Sequence, residues 1–244
     1  MSLAGLRSAL ARLRMAGSIG DFNPGMRGQS KQAVVGIDVG GERKGFHAVA
    51  LLGGIVLDKK TDPDPKVIVD WCLDHKAMVV AVDAPCRWSQ SGSSRLAEQK
   101  LELRGKKIYC FSTPTRARAL HRNFYKWVFN GERLYRLLAA QYVLFSGQWA
   151  NRPMCIETFP HAVTCAIAGR VVATKPKATM RRAALQKRGY GVHDLSNIDF
   201  VDAALCAVAA EGFRSRHYQQ YGDRREGFIV VPAPSVSIAS SKSL

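Results

Sequence analysis

The sequence predicts an α/β fold: a mixed sheet in which an antiparallel three-strand meander is followed by parallel β-α units, with a basic helical insertion. Three observations carry this. Short β-branched runs separated by Gly-Gly turns open the core. From residue 64 onward, helical periodicity alternates with short apolar runs. A long segment dense in Lys, Arg and aromatic residues then breaks that rhythm. The 244 residues suit one large domain, and a hydrophobic content of 47% is enough for a core.

Ala33 to Val39 is the first strand, ending in Gly40-Gly41; Phe46 to Leu52 is the second, and Ile55 to Leu57 begins a third after Gly53-Gly54. Asp64-Pro65 reads as a helix cap and first helical residue, with Val67, Ile68, Trp71 and Cys72 on one face. Met78 to Val82 has the continuous apolar character of a strand buried on both sides. Residues 87–152 form the insertion, expected to lie over the mouth of the sheet. They carry thirteen Lys and Arg against three Glu, with a helical pattern through Leu134, Leu137, Leu138, Tyr142 and Phe145. Pro153 to Phe159 returns to strand, residues 160–168 and 177–188 to helix, Asp199 to Phe213 to a longer helix, and Phe228 to Val231 to a last strand. The domain is thus expected over 32–232. Residues 1–31 read as an N-terminal extension, whose Leu6, Leu10 and Leu13 with Arg7, Arg12 and Arg14 also fit a transit peptide; 233–244 read as a tail.

Lys and Arg number 36 against 19 Asp and Glu, a net charge of +17. A field of that sign draws polyanions, either nucleic acid or an anionic membrane surface. No apolar run approaches the roughly 20 residues needed to cross a bilayer. The six cysteines show no C-x-x-C spacing and several lie in apolar runs, which implies reduced thiols and a cytoplasmic setting.

Acidic residues stand at telling places. Asp38 ends the first strand, Asp83 ends Met78 to Val82, Glu157 lies inside a strand, and Asp199 and Asp202 open the long helix. The helical neighbours of Asp202 are Ile198, Leu205, Cys206 and Ala209, so it points along the buried stripe. A buried carboxylate needs a cation or a proton. A metal ion meets that need; so does a buried arginine. In a parallel sheet the carboxyl ends of neighbouring strands converge on one crevice. Acids gathered there suit Mg²⁺ or Mn²⁺, two of which form the clamp used in phosphodiester hydrolysis.

The order of these segments resembles the domain-of-unknown-function 429 family, predicted nucleases of the ribonuclease H-like superfamily. The matching stretches are Gly36-Ile37-Asp38, Ala81-Val82-Asp83-Ala84-Pro85, Ile156 to Ala162, Lys175-Pro176-Lys177, Asp199 to Leu205 and Glu226 to Pro232. The resemblance implies a ribonuclease H-like sheet and metal-binding, catalytic roles for Asp38, Asp83, Glu157 and Asp202. It also gives Asp199 the place of the extra acid of Holliday-junction resolvases, for which a homodimer would be the expected state.

Lys44, Arg116, Arg118, Arg122, Lys175, Lys177 and Arg181 are the expected contacts to DNA or RNA, and aromatics interleave with the insertion's charges as stacking platforms do. His161, near Glu157, reads first as a packed or capping histidine. The expected function is a metal-dependent nuclease. Two alternatives stand beside it. The loop Asp38 to Gly45 resembles the phosphate loop of actin-like ATPases and sugar kinases, and a basic nucleic-acid-binding protein without chemistry fits the charge.

Overall fold

The computed structural model describes residues 32–234. The extension read over 1–31, and all but the first two residues of the tail, lie outside the described residues. Strand β1 (Val34–Val39) is buried along its whole length. It pairs antiparallel with β2 (Phe46–Leu52), which pairs antiparallel with β3 (Ile55–Asp62). The turn between β2 and β3 holds Gly53 and Gly54 at positive φ, where a side chain would be strained. β3 runs on to Asp62, past the apolar residues that announce it. It is an edge strand with much of its length exposed, so Asp58, Lys59 and Lys60 fit there.

Helix α1 (Pro65–Asp74) starts as expected: Asp64 accepts a hydrogen bond from the Lys66 N–H, and Pro65 takes the first turn. The chain then enters β4 (Val79–Asp83), parallel to β1. The insertion follows. It contains α2 (Leu96–Lys100), a small hairpin of β5 (Glu102–Leu103) and β6 (Lys106–Lys107), α3 (Arg116–Ala119), a 3-10 turn at Asn123–Tyr125, α4 (Lys126–Leu138) and β7 (Val143–Leu144). The helical pattern through Phe145 overshoots. α4 ends at Leu138, and Tyr142 and Phe145 are buried on either side of β7, which joins the main sheet beside β8 (Met154–Glu157).

β8 is parallel to β4. After α5 (Pro160–Ala168), α6 (Lys177–Lys187) and α7 (Ile198–Arg214) come β9 (Tyr218–Asp223) and β10 (Gly227–Pro232). β10 is parallel to β8, and β9 closes the far edge antiparallel to β10. β9 was not legible because Tyr218 to Asp223 has neither an apolar run nor alternation. The result is a mixed α/β sheet in the order β3-β2-β1-β4-β8-β10-β9. No helix among the described residues is long and apolar enough to cross a membrane. All six cysteines are free.

Strand alternation divides the core in two. Val34, Val49, Val79, Ala81 and Ile156 face α5 and α7; Val35, Ile37, Val80, Val82 and Cys155 face α1 and α4. α7 lies unusually close to β1. A Cβ added at Gly36 would stand 2.0 Å from the Ala203 carbonyl oxygen and 2.1 Å from the Ala207 nitrogen. The small residues Ala203 and Ala207 on α7 are the matching half of this contact. Gly36→Ala is therefore expected to push α7 off the sheet and cost about 1–3 kcal/mol or more. Denaturant unfolding checks this, and an unchanged midpoint would show that the contact yields freely.

Candidate metal centre

The β-sheet register decides which acids meet. Asp38 pairs in register with Asp83 on β4 and with His47 on β2, so all three project from one face at the carboxyl ends of β1 and β4. This is the face that α7 covers. The Asn197 side chain caps α7 by accepting from the Phe200 N–H, and the first turn then delivers Asp199 and Asp202 above Asp38. Asp202 is 1% exposed.

Buried charges of one sign shift one another. Burial, then Asp202 and Asp199, push the Asp38 carboxyl up from 3.8 to about 7, against the opposing pull of Lys44 and Lys177. Burial also lifts the Asp83 carboxyl well above its ordinary value, with Asp38 and Asp202 adding to it. Cations neutralise the rest. The Arg181 guanidinium binds Asp202 directly, and Lys177 Nζ lies 2.8 Å from the other oxygen of the same carboxylate. Lys44 Nζ stands 2.7 Å from Asp199 and 4.0 Å from Asp38.

Glu157 is not brought to this group. Its register partner is Val82, not Asp83, so it projects from the opposite face of the sheet. There Arg95 grips both of its oxygens, at 2.8 and 2.5 Å, and the Cys86 N–H donates a third bond at 2.8 Å. Arg95 is itself buried and is further held by Glu98 through Nε at 2.8 Å. A carboxylate so fully matched ties the insertion to β8 and has little capacity left for an ion.

The basic residues also sort differently from expectation. Lys44, Lys177 and Arg181 lie in the acidic group. Arg116 pairs with Glu132 at 3.0 Å and lies over the Phe129 ring. Arg118, Arg122 and Lys175 are exposed. His161 is packed within α5, where burial, then Arg181, lowers its pKa.

His47 escaped the sequence reading, although a signal existed. Counting back from the Gly40 to Gly45 turn sets it opposite Asp38, a polar residue in an otherwise apolar strand. Burial holds its pKa down, an effect that Asp199 opposes and Lys44 reinforces. Asp38, His47 and Asp199 each offer one ligand atom, and the three atoms lie within 4.8 Å of one another. Two carboxylates and an imidazole at that spacing suit one divalent cation. Nothing in the sequence marks Arg95, by contrast, among the insertion's many cations.

Residues 36–226 match the family described as protein of unknown function, DUF429. The chain belongs to the DUF429 family. No curated protein and no solved structure matches it. The DUF429 match spans the acidic group, His47 and the whole insertion.

Two outcomes follow from the charges. A folded-state pKa raised above the unfolded value means that the folded protein binds the extra proton. Stability is then highest below 3.8 as far as Asp38 is concerned, and falls as pH rises toward about 7. Asp38→Asn is expected to flatten that slope in the metal-free protein and raise its melting temperature at pH 8; an identical pH profile would show that Asp38 ionises freely. Arg181→Met leaves Asp202 buried with only the half-exposed Lys177 as partner. It is expected to cost about 3–5 kcal/mol in denaturant unfolding, and a loss below about 1 kcal/mol would show the pair to be solvated.

Proposed function

We propose that this protein is a metal-dependent nuclease of ribonuclease H-like fold that hydrolyses phosphodiester bonds in nucleic acid, with Mg²⁺ or Mn²⁺ as cofactor. The observation that carries the reading is the meeting of Asp38, Asp83, Asp199 and Asp202 at one end of one sheet face, in a chain of net charge +17. The sheet order supports the fold assignment: an antiparallel meander, then β1, β4, β8 and β10 running parallel.

Acids alone would repel a phosphodiester, so the reading requires cations at the carboxylates. Asp38, Asp83, Asp199 and Asp202 would hold divalent metal there, which would supply a Lewis acid for the phosphoryl group and a means of activating water. The chain's own residues do the rest. Asp38 and Asp83 give up their protons as the site fills. Lys44 and Lys177, each about half exposed at 49% and 50%, are positioned to turn from their aspartates toward phosphate oxygens. Arg181 stays buried against Asp202 and fixes its orientation.

The insertion supplies the surface for the polynucleotide. α4 lies against the loops that follow β1 and β4. The Asn130 side chain donates to the Gly40 carbonyl at 3.0 Å, and the Tyr135 hydroxyl donates to the Ala84 carbonyl at 3.0 Å. Arg118, Arg122 and the 62% exposed Phe124 stand on the segment leading into α4. Together they suit backbone contact with base stacking. An ATP-using kinase is less well supported. In the loop after β1, the N–H groups of Gly40, Lys44 and Gly45 all donate to loop carbonyls and do not face outward to a phosphate.

The test is cleavage of labelled single-stranded, duplex and branched DNA and RNA with Mn²⁺ or Mg²⁺, and with chelator. Metal-dependent cleavage lost in Asp38→Asn is expected; no cleavage of any substrate overturns the reading. Binding should weaken with salt, and replacing Arg118 and Arg122 by Ala should reduce the log–log salt slope by about 0.9 per lost phosphate contact. Equal slopes would remove these residues from the interface.

A further inference from the structure

We propose that His47 is a nitrogen ligand of the metal centre, sharing one ion with Asp38 and Asp199, and that this mixed donor set selects Mn²⁺ over Mg²⁺. The inference deepens the nuclease reading and rests on its metal centre.

Three observations point to it. First, His47 is 7% exposed, and one of its ring nitrogens is left without a partner. Nδ1 is buried with no hydrogen-bond partner, and Nε2 faces Asp199 Oδ2 at 3.9 Å, beyond hydrogen-bond reach. A buried imidazole nitrogen without a partner is rare, because burial removes the water that would otherwise satisfy it, and the other nitrogen already faces a carboxylate of the site. Second, the ring is held in place. Its edge-to-face contact with Phe200 has centroids 5.1 Å apart at 80°, and the β1–β2 register fixes its backbone opposite Asp38. Third, a cation already stands among these groups. Lys44 Nζ lies 2.7 Å from Asp199 and 4.0 Å from Asp38, on a short loop and half exposed. The ammonium marks where positive charge is favourable between the two carboxylates.

The donor chemistry sets the selectivity. Mg²⁺ takes oxygen ligands and holds its waters, whereas imidazole favours first-row transition ions. An oxygen-only centre would show little preference for Mn²⁺; a centre with His47 in it prefers Mn²⁺. Lys44 competes with either ion for the same carboxylates.

Pulsed electron paramagnetic resonance on the full chain loaded with Mn²⁺ provides the test, with affinities from the free-Mn²⁺ signal and from Mg²⁺ competition. The wild type should show nitrogen coupling to bound Mn²⁺. His47→Gln should lose the coupling and bind Mn²⁺ at least about tenfold more weakly, with Mg²⁺ binding little changed. Lys44→Met should tighten both ions. Bound Mn²⁺ without nitrogen coupling in the wild type, or coupling that persists in His47→Gln, overturns the assignment and leaves the acidic centre standing. Failure of the wild type to bind either ion at millimolar concentration overturns the centre and the inference together. Absence of nitrogen coupling in the wild type decides against the assignment even if a variant folds poorly.

Discussion

Carboxylates of one sign crowded into a water-poor site must be neutralised, and that requirement organises this end of the molecule. Asp38 and Asp83 meet it by holding protons to unusually high pH. Asp202 meets it with Arg181 and Lys177, and Asp199 with Lys44. The crowding itself comes from backbone geometry. Only the absence of a side chain at Gly36 lets α7 approach β1 closely enough to bring Asp199 and Asp202 over the strand ends. Local sequence thus sets helix position, helix position sets charge density, and charge density sets the site's demand for cations. Burying these side chains as acids costs more than burying Leu or Val in their place would.

A second buried charge system lies across the sheet and does different work. Arg95, Glu98 and Glu157 match one another almost completely, with backbone N–H groups of Cys86 and Thr113 taking further carboxylate oxygens. Such a network holds parts together. Here it ties the start of the insertion to the end of β8, just as Asn130 and Tyr135 tie α4 to the loops after β1 and β4. One face of the sheet therefore gathers acids whose exposed partners are lysines, while the other uses buried carboxylates held by an arginine and backbone N–H groups to fix the basic insertion beside it.

Much of the fold was legible because its signals are local. The Gly-Gly turns, the Asp64-Pro65 cap and the continuous apolar run before Asp83 each report a backbone state directly. β7 and β9 were not legible, since two-residue and polar edge strands exist only through their partners. The site was half legible for the same reason. Asp38, Asp83 and Asp202 announce themselves by strand end and helical stripe. Glu157 does so equally well, and yet it belongs elsewhere. A strand's side chains alternate, so one step of register, Val82 and not Asp83 beside Glu157, moves it to the other face. Sequence alone does not fix that step across the long insertion. Arg181 illustrates the converse. The sequence admits either a metal or an arginine as the partner of Asp202, and the structure supplies the arginine.

That arginine bears on how the two readings of Asp202 fit together. A guanidinium on one oxygen does not exhaust a carboxylate, which has several lone-pair directions, and Lys177 on the second oxygen is half exposed. The buried partner fixes where the carboxylate points; the exposed partner leaves the second oxygen on the solvent side. Lys44 stands toward Asp199 in the same relation as Lys177 toward Asp202. Ammonium groups at the solvent side and protons on the inner pair, Asp38 and Asp83, are both exchangeable, whereas Arg181 is not. The centre is thus held folded without metal by partners of graded permanence. The ammonium groups of Lys44 and Lys177 are the half-exposed members of that set.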